Sequence, residues 1–306
     1  MSVSATYAPL VAFTKALQNL WLFTQDDFAT FVIPNTVFGV CTALAGAPFV
    51  YHPNLSSKLE ILLRIPLVII FNWTNLFIFD LANQREAVEE DRLNKPWRPI
   101  PSGRMTRAEV RKAMQIAIPA VLAFNHYYLS TGAETACIIV GCWVYNDLKV
   151  SDDSVVLRNA IISLAFGVFN SSSLKVALGV HGVGPHLPRV AEAGQAWIWM
   201  YSAVIFTTMH VQDMKDQAGD KARGRNTVPL IFGDGFARWS LAVPITLWGP
   251  ICALQCQVGM GNFALVSAFG AYVAWRCLRY KDQAEDRSTW QLWCAWTALL
   301  SLLPMT

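Results

Sequence analysis

Charged residues and histidines are scarce in this chain of 306 residues, of which only 15% are charged and five are histidine. With 54% hydrophobic residues and a mean hydropathy of +0.35, the chain is too apolar for an ordinary soluble domain. This composition is typical of a polytopic membrane protein. The net charge of +3 comes without the basic stripe that nucleic-acid binding needs, so we exclude nucleic acid as a partner.

The seven cysteines include no C-x-x-C pair and no metal-binding spacing to histidine, so we interpret them as small core residues. The N-terminus also lacks the basic segment, short apolar segment and cleavage site of a secretory signal. We therefore expect the first span to insert the protein itself. We predict a single domain over residues 1–306, with no appended soluble domain and no obligate protein partner.

Apolar stretches near the length of about 20 residues that crosses a membrane as a helix recur along the chain. Residues 1–26 form an N-terminal segment, in which residues 10–23 have the apolar spacing of an amphipathic helix lying on the membrane. Nine transmembrane helices around a central cavity are predicted to follow, an all-α architecture. They cover about residues 28–50, 59–82, 108–130, 134–150, 157–178, 195–213, 237–256, 261–279 and 288–304.

Lysines and arginines are concentrated in alternate loops. The loop after the second span holds six and the loop after the sixth holds four, whereas the loops after the third and seventh spans hold none. The positive-inside rule then places the N-terminus and both basic loops in the cytosol, and the endoplasmic reticulum is the expected membrane. Residues 83–107 and 214–230 are therefore predicted to be cytosolic catalytic loops.

Two acidic clusters lie beside apolar spans on this cytosolic side. If the second span continues helically, one stripe carries Asp80, Asn83, Gln84, Ala87 and Asp91. A similar stripe ends the sixth span, with Asp213, Asp216 and Asp220. A single acidic loop is usually only a solvated connection. Two acidic clusters that each fall on one stripe of a helix, both on the cytosolic side, favour a functional site. Their oxygens suit Mg²⁺, which usually takes one or two carboxylates together with substrate phosphate oxygens.

The predicted site residues fall into four groups by what their side chains can supply. The predicted catalytic residues are Asn83, Gln84, Asp91, Asp213, Asp216 and Asp220. The metal ligands predicted from these stripes are Asp80, Asn83, Asp91, Asp213, Asp216 and Asp220. The cations predicted to bind a diphosphate are Lys95, Arg98, Arg104, Lys149, Lys215, Arg223 and Arg225. The aromatic residues expected to line the cavity are Phe71, Phe77, Tyr145, Trp199 and Phe206.

Three segments carry a resemblance to a known family. Residues 83–91 (NQREAVEED) with 94–104 (NKPWRPIPSGR) resemble the first motif of the UbiA superfamily of intramembrane prenyltransferases. Residues 213–227 (DMKDQAGDKARGRNT) resemble its second motif, and residues 145–149 (YNDLK) resemble its short Tyr/Lys motif. The resemblance implies nine transmembrane helices around a lipid-accessible cavity, with Mg²⁺-diphosphate held at the cytosolic mouth.

The first motif departs from the usual NDxxDxxxD form, because Gln84 and Ala87 stand where aspartates are expected. Glu90 and Asp80 are candidates to replace the missing Mg²⁺ ligands. This version resembles the branch that contains fungal membrane-bound UbiA-type terpene cyclases, such as those of fumagillin-type pathways. It implies a Mg²⁺-dependent class I cyclase that ionises an allylic prenyl diphosphate, expected to be farnesyl diphosphate, and closes the carbocation to a sesquiterpene.

Two other functions stay open at this point. The first is a prenyltransferase that moves the prenyl group to an aromatic or other small acceptor. It would need a base for the acceptor's proton, and no residue clearly supplies one. The second is a transporter or lipid-binding membrane protein, although transporters commonly show internal repeats and none is convincing here. In each case, membrane lipid is an expected partner.

Overall fold

The structure is a computed structural model that describes residues 3–51, 57–181 and 187–306, with side chains from Phe13 onward. The described chain is mostly helical, as the all-α prediction requires. Its helices are α1 (Val3–Ala45), α2 (Lys58–Leu63), α3 (Ile65–Glu86), α4 (Val88–Asn94), α5 (Arg107–Tyr127), α6 (Gly132–Asn146), α7 (Val150–Asp153), α8 (Val155–Leu178), α9 (Glu192–Thr208), α10 (Val211–Arg223), α11 (Val228–Phe232), α12 (Asp234–Gln255), α13 (Met260–Arg279) and α14 (Gln283–Leu300). Two short antiparallel strands are β1 (Val50–Tyr51) and β2 (Arg189–Val190).

Helices cover most of each predicted span. Within the described residues, three stretches of helix are long and apolar enough to cross a membrane by length and composition: Phe13–Ala45, Lys58–Glu86 and Val155–Leu178. Large apolar side chains are exposed on other helices as well, for example Ile116 on α5 and Trp239 on α12. Extensive apolar exposure is unfavourable in water, so this outer surface fits a lipid environment.

The N-terminal amphipathic segment and the first predicted span form one helix, α1, rather than two. No glycine or proline stands between residues 10 and 33, so nothing in that stretch breaks the helix where a separate surface helix was expected to end. Exposed apolar side chains on the first part of α1 include Phe13, Leu17 and Trp21. Residues 1 and 2 of the predicted segment lie outside the described residues.

Of the two segments predicted as catalytic loops, 214–230 is largely helical, whereas 83–107 is helical mainly in its first half, up to Asn94. Helix α4 begins after a break at Ala87 and carries three acidic residues in its first turn, where the positive end of the helix dipole favours negative charge. Helix α10 carries the second acidic cluster and ends at Gly224, whose positive φ of 75° is typical of a glycine that terminates a helix. Polar composition indicated loops, but here it marks helices with charged faces.

Close packing brings the two acidic segments together, because α10 packs against α4 and α14 while α1 packs against α3 and α8. Gly219 on α10 marks the closest approach: a Cβ there would come within 2.1 Å of Asn94 Nδ2 on α4. The same Asn94 amide donates a hydrogen bond of 3.0 Å to the Asp216 carbonyl oxygen. A glycine at position 219 is therefore needed for α4 to reach α10.

Candidate active site

A polar pocket of about 60 Å³ lies where α10 meets α1, α3, α4 and α8. Its lining combines carboxylates with guanidinium and ammonium groups. The predicted metal and diphosphate ligands that line it are Asn83, Glu90, Lys95, Arg98, Asp213, Asp216, Asp220 and Arg225. Tyr145 also reaches this pocket, and three polar residues that were not predicted for the site add to its lining: Asp27, Arg158 and Gln212.

The three aspartates of α10 are all buried and all line the pocket. Asp216 Oδ1 and Asp220 Oδ2 have no hydrogen-bond partner among the described residues. Burial, reinforced by the neighbouring Asp213 carboxylate, raises the pKa of Asp220 to about 7. Burial alone would also raise the pKa of Asp216, but Lys215 and Lys95 lower it to about 2. A cation entering the pocket would therefore meet one ionised carboxylate and a second whose ionised form it would stabilise.

Asp213 is held by Arg158, which lies near the start of α8. The two carboxylate oxygens of Asp213 each lie 2.7 Å from a guanidinium nitrogen of Arg158, and both side chains are buried. Removing either partner of a buried pair leaves an uncompensated charge at a cost of about 3–5 kcal/mol, so the pair fixes both groups. Sequence analysis missed Arg158, although a single arginine inside an otherwise apolar helix is itself a sign of a paired or functional charge.

Two arginines at the C-terminal end of α10, Arg223 in its last turn and Arg225 just beyond it, connect Glu90 on α4 with Asp152 on α7. Arg223 lies 3.1 Å from Glu90 and 3.0 Å from Asp152. Arg225 lies 3.3 Å from Glu90, 3.1 Å from Asp152 and 3.3 Å from Asp220. Burial would raise the pKa of Glu90, but the two arginines hold it below its usual range. Arg225 lines the pocket and Arg223 does not, so Arg223 supports the site from behind.

The first acidic cluster does not form the continuous stripe that its spacing predicted, because the helix breaks at Ala87. Gln84 is turned towards α1, where its Nε2 donates a 2.6 Å hydrogen bond to the Phe23 carbonyl oxygen. Asp91 accepts a 2.9 Å hydrogen bond from Arg98, and burial raises its pKa to about 6 against the opposing effect of that arginine. Neither Gln84 nor Asp91 lines the polar pocket.

Arg98 is surrounded by carboxylates from α1 and α4. It lies 2.8 Å from Asp27, 2.9 Å from Asp91 and 3.5 Å from Asp26. Asp80 is also buried, interacts with Asp27, and is not part of the pocket lining. The positive charge of Arg98 is therefore already compensated within the protein, and Asp80 lies behind the pocket wall.

Lys95 lines the pocket but takes part in none of the ion pairs among the described residues. Burial would lower its pKa, but the nearby Asp216 and Asp27 carboxylates raise it above the usual value. The Lys95 ammonium group is therefore charged at neutral pH and available to an anion in the pocket.

The other predicted diphosphate ligands do not line the pocket. Arg104 donates hydrogen bonds of 2.9 Å to Asn19 and 3.1 Å to Gln18, so it ties the loop after α4 to α1. Lys149 is exposed just before α7. Lys215 is paired with the aspartate next to it in sequence and lies 4.8 Å from the centre of a tryptophan ring on α14. These cations were predicted from closeness in sequence, which does not fix the direction of a side chain.

An apolar cavity of about 270 Å³ adjoins the polar pocket between α6 and α8. Phe31, Phe79, Tyr145 and Ile162 line both spaces, so the two adjoin along these side chains. Along α6 the lining extends to Cys137, eight residues before Tyr145 and roughly 12 Å away at the usual helical rise. The charged pocket is thus the polar end of a longer, mostly apolar space.

The UbiA prenyltransferase family model matches residues 37–301. The chain belongs to this family. Diterpene cyclase eriG of Hericium erinaceus is 27% identical to it over 94% of this chain and 87% of the relative. Fumagillin beta-trans-bergamotene synthase af520 of Aspergillus fumigatus is 27% identical over 94% of this chain and 92% of the relative. The similarity to fungal UbiA-type terpene cyclases that the sequence predicted is confirmed.

A solved structure of a UbiA homolog from Archaeoglobus fulgidus bound to DMAPP and Mg²⁺ has the same fold. Its TM-score with this chain is 0.60 at 14% sequence identity, with 94% of this chain and 98% of the homolog covered. At this identity the likeness establishes the UbiA fold, and the chemistry has to be argued from the side chains described above.

The aromatic residues expected to line the cavity of this UbiA protein are placed unevenly. Tyr145 lines both spaces. Phe71 is fully buried in the main core and Phe77 packs in a separate apolar cluster, so neither reaches the cavity. Trp199 is 57% exposed on the outer surface, and Phe206 lines a different groove. Helices α3 and α9 are apolar on most sides, so the sequence did not show which side faces inward.

The fit of Mg²⁺ to this UbiA site can be judged from the donor atoms. Among the described residues, no three acidic, histidine or cysteine side chains come together in a way that could hold a metal ion by themselves. Mg²⁺ does not need such a cage, because it usually binds one or two carboxylates with phosphate oxygens and water. The unpartnered oxygens of Asp216 and Asp220 fit that smaller share of the ligands.

Proposed function

We propose that this protein is a membrane-integral, Mg²⁺-dependent class I terpene cyclase that ionises an allylic prenyl diphosphate and cyclises the carbocation. The observation that carries this proposal is that a charged pocket adjoins an apolar cavity, with four side chains lining both. In this proposal the diphosphate occupies the pocket and the prenyl chain occupies the cavity. The cyclase names of the relatives eriG and af520 support the same class of reaction.

The proposed protein crosses the membrane of the endoplasmic reticulum with its nine predicted spans. The pocket then opens to the cytosol, as do the basic loops on which the predicted orientation rests. Three stretches of helix long and apolar enough to cross a membrane support this placement. A charged diphosphate could reach the pocket from water while its prenyl chain enters the apolar cavity.

Lys95 and Arg225 are the cations best placed to bind the diphosphate. Both line the pocket. Lys95 has no ion pair of its own among the described residues, and Arg225, although paired with carboxylates, keeps Nη2 without a hydrogen-bond partner among them. As the allylic C–O bond breaks, negative charge accumulates on the diphosphate, and fixed cations stabilise that charge without having to reorganise. Arg158 acts through Asp213, whose carboxylate it holds against the pocket wall.

Asp216 and Asp220 would hold Mg²⁺ through their unpartnered oxygens, beside Asn83 and Glu90 on the facing helices. Bound Mg²⁺ supplies Lewis-acid stabilisation of the diphosphate oxygens. Asp91 is not placed to share this role, because it does not line the pocket and its carboxylate pairs with Arg98. The aspartates of α10 are therefore the proposed metal ligands.

The apolar cavity would protect the carbocation and guide its cyclisation. Its described lining is almost entirely apolar, which keeps water away from the cation. The rings of Phe31, Phe79, Tyr145 and Phe169 line it, and an aromatic face can stabilise a cation by about 0.5–2 kcal/mol. We propose farnesyl diphosphate as the substrate and a sesquiterpene as the product.

Prenyl transfer to a small acceptor is the second candidate, and membership of a prenyltransferase family supports it. A transferase acting on a phenol or similar nucleophile would need a group to take up the acceptor's proton. The described cavity lining offers two thiols and one phenol but no histidine or carboxylate. The cavity therefore favours a reaction within the prenyl chain over transfer to a second molecule.

The deciding experiment is product analysis with microsomes that contain the protein. Farnesyl diphosphate and Mg²⁺ without an acceptor should give a cyclic hydrocarbon, detected by mass spectrometry, and microsomes from the same host without the protein should give none. Geranylgeranyl diphosphate in a parallel reaction tests the chain length. Formation of a prenylated product only after an acceptor is added would overturn the cyclase proposal.

A further inference from the structure

A second groove, of about 290 Å³, lies between α8, α9, α11 and α12. Its lining is separate from that of the cavity and of the polar pocket. Exposed aromatic side chains form its rim, with Phe206 on α9, Phe232 on α11 and Phe236 on α12. Two polar side chains that also line it, Asn159 and His210, are only 7% and 4% exposed. The groove thus has an apolar rim and a buried polar end.

The hydrogen bonds around His210 decide which of its ring nitrogens carries the proton. Ser240 Oγ donates its proton to the Ala237 carbonyl oxygen at 3.0 Å. The same Ser240 Oγ lies 3.0 Å from His210 Nε2, and both contacts are satisfied together when Ser240 Oγ accepts a hydrogen bond from that nitrogen. In neutral His210 the proton is therefore on Nε2, and Nδ1 is a hydrogen-bond acceptor.

His210 Nδ1 is buried and has no hydrogen-bond partner among the described residues, and Asn159 Oδ1 is in the same state. Pro244, which also lines the groove, lies inside α12 and has no N–H to bond the Ser240 carbonyl one turn earlier. The buried end of the groove is therefore rich in acceptors and short of donors. A buried polar atom without a partner is unfavourable, so this end should select a ligand that supplies a donor.

The lack of charged side chains in the described lining of the groove restricts the class of ligand further. Its described lining contains no lysine, arginine, aspartate or glutamate, so nothing there compensates an ionic headgroup. We propose that the groove binds a neutral amphiphile, an apolar chain or ring system whose hydroxyl group donates to His210 Nδ1. Asn159 lies beside this position and can donate to or accept from the same hydroxyl, depending on the orientation of its amide.

The polar end of the groove is formed by residues that are close in sequence to the active site. His210 directly precedes α10, one turn before Asp213, and Asn159 is next to Arg158 on α8. Arg158 and Asp213 form the buried pair that lines the pocket, whereas Asn159 and His210 line the groove. A ligand that orders this end of the groove also orders the backbone that carries the pair.

The test uses two photoreactive probes on the purified protein in lipid nanodiscs. The first is a twelve-carbon primary alcohol with a diazirine in the chain, and the second is its methyl ether, which has no donor. After irradiation, mass spectrometry of peptides should place the alcohol adducts on the rim, at Phe206, Phe232 or Phe236. We expect the ether to label these positions at least fivefold less.

Variants at His210 distinguish the effect of its hydrogen-bond acceptor from the effect of its side-chain size. His210→Leu should lower alcohol labelling to the level of the ether, whereas His210→Gln, which keeps an acceptor, should retain most of it. His126→Leu, an exposed histidine on α5, is the matched control and should label like the original protein. Equal labelling by alcohol and ether, or alcohol adducts only outside the groove, would overturn the proposal even if His210→Leu failed to fold.

Discussion

The two acidic segments look alike in the sequence but are built differently. On α10, three aspartates line the polar pocket, and two of them keep an unpartnered buried oxygen. In the segment around α4, Asn83 and Glu90 line the pocket, while Gln84 bonds to α1 and Asp91 to Arg98. The α10 segment therefore offers oxygens that can bind a metal ion, whereas much of the segment around α4 forms contacts that hold the surrounding helices together.

This difference changes how the departure of the first motif from the family pattern should be interpreted. Gln84 stands where the family pattern has an aspartate, which suggested a missing metal ligand. Its amide instead donates to the Phe23 carbonyl oxygen, a bond that an ionised aspartate could not make. The substitution fits a position that joins α3 to α1, and its effect on the chemistry would be indirect.

We expect the largest loss of activity from a change in the α10 segment. Asp216→Asn should lower kcat by about 10²–10³-fold, the scale seen when one group that stabilises transition-state charge is removed. Turnover of farnesyl diphosphate by purified protein at saturating Mg²⁺ measures this. The control is Glu89→Gln. Glu89 is an exposed acid of the first segment whose one ion pair among the described residues is with exposed Arg92, so this change should affect kcat little. An equal loss in both variants would contradict the assignment.

Arg158→Met should cause the next largest change, seen in stability as well as activity. It would leave the Asp213 carboxylate buried without its partner, and we expect the free energy of unfolding to fall by about 3 kcal/mol. Thermal unfolding in detergent measures the loss. Adding Asp213→Asn removes the uncompensated charge and should recover part of the stability. Independent, additive losses would show that the two side chains are not coupled.

Asp91→Asn should have a smaller effect than Asp216→Asn. The new amide oxygen could still accept a hydrogen bond from Arg98, and that arginine keeps its ion pairs with Asp26 and Asp27. We expect a loss in kcat of about tenfold, near the value of one charge-assisted hydrogen bond. The two variants should be compared at several Mg²⁺ concentrations. If Asp91→Asn shifted the Mg²⁺ dependence as strongly as Asp216→Asn, the two segments would share the metal equally.

Gln84→Asp restores the family aspartate and tests the bracing role directly. The shorter, acidic side chain cannot donate to the Phe23 carbonyl, so we expect about 1–3 kcal/mol lower stability, the usual cost of a buried group left without its partner. Thermal unfolding measures this, and an assay with a phenolic acceptor should show no new prenyl transfer. A gain of transferase activity would mean that residue 84 selects the reaction.

Sequence reasoning reached the family, the helical architecture and many of the pocket residues, because spans and motifs are local patterns. It reached the α10 aspartates because one unbroken helix keeps the phase of its side chains. It missed Asp27, Arg158 and Asp152, whose roles depend on contacts with helices distant in sequence. The helix break at Ala87 put the side chains of the first cluster on different faces, and no residue in that stretch of the sequence predicted the break.

Of these variants, Arg104→Gln should have the smallest effect on activity. Arg104 belongs to the first motif and was predicted to bind the diphosphate, but it bonds to Gln18 and Asn19 on α1 and does not line the pocket. We expect KM for the prenyl diphosphate to change less than about threefold, because a polar contact outside the site costs at most about 1 kcal/mol. Lys95→Gln, from the same motif but inside the pocket, is the matched variant and should raise KM about tenfold, consistent with a charge-assisted hydrogen bond. If Arg104→Gln raised KM as much as Lys95→Gln, the loop after α4 would have to rearrange around the substrate, and position in the motif would predict function better than position in the fold.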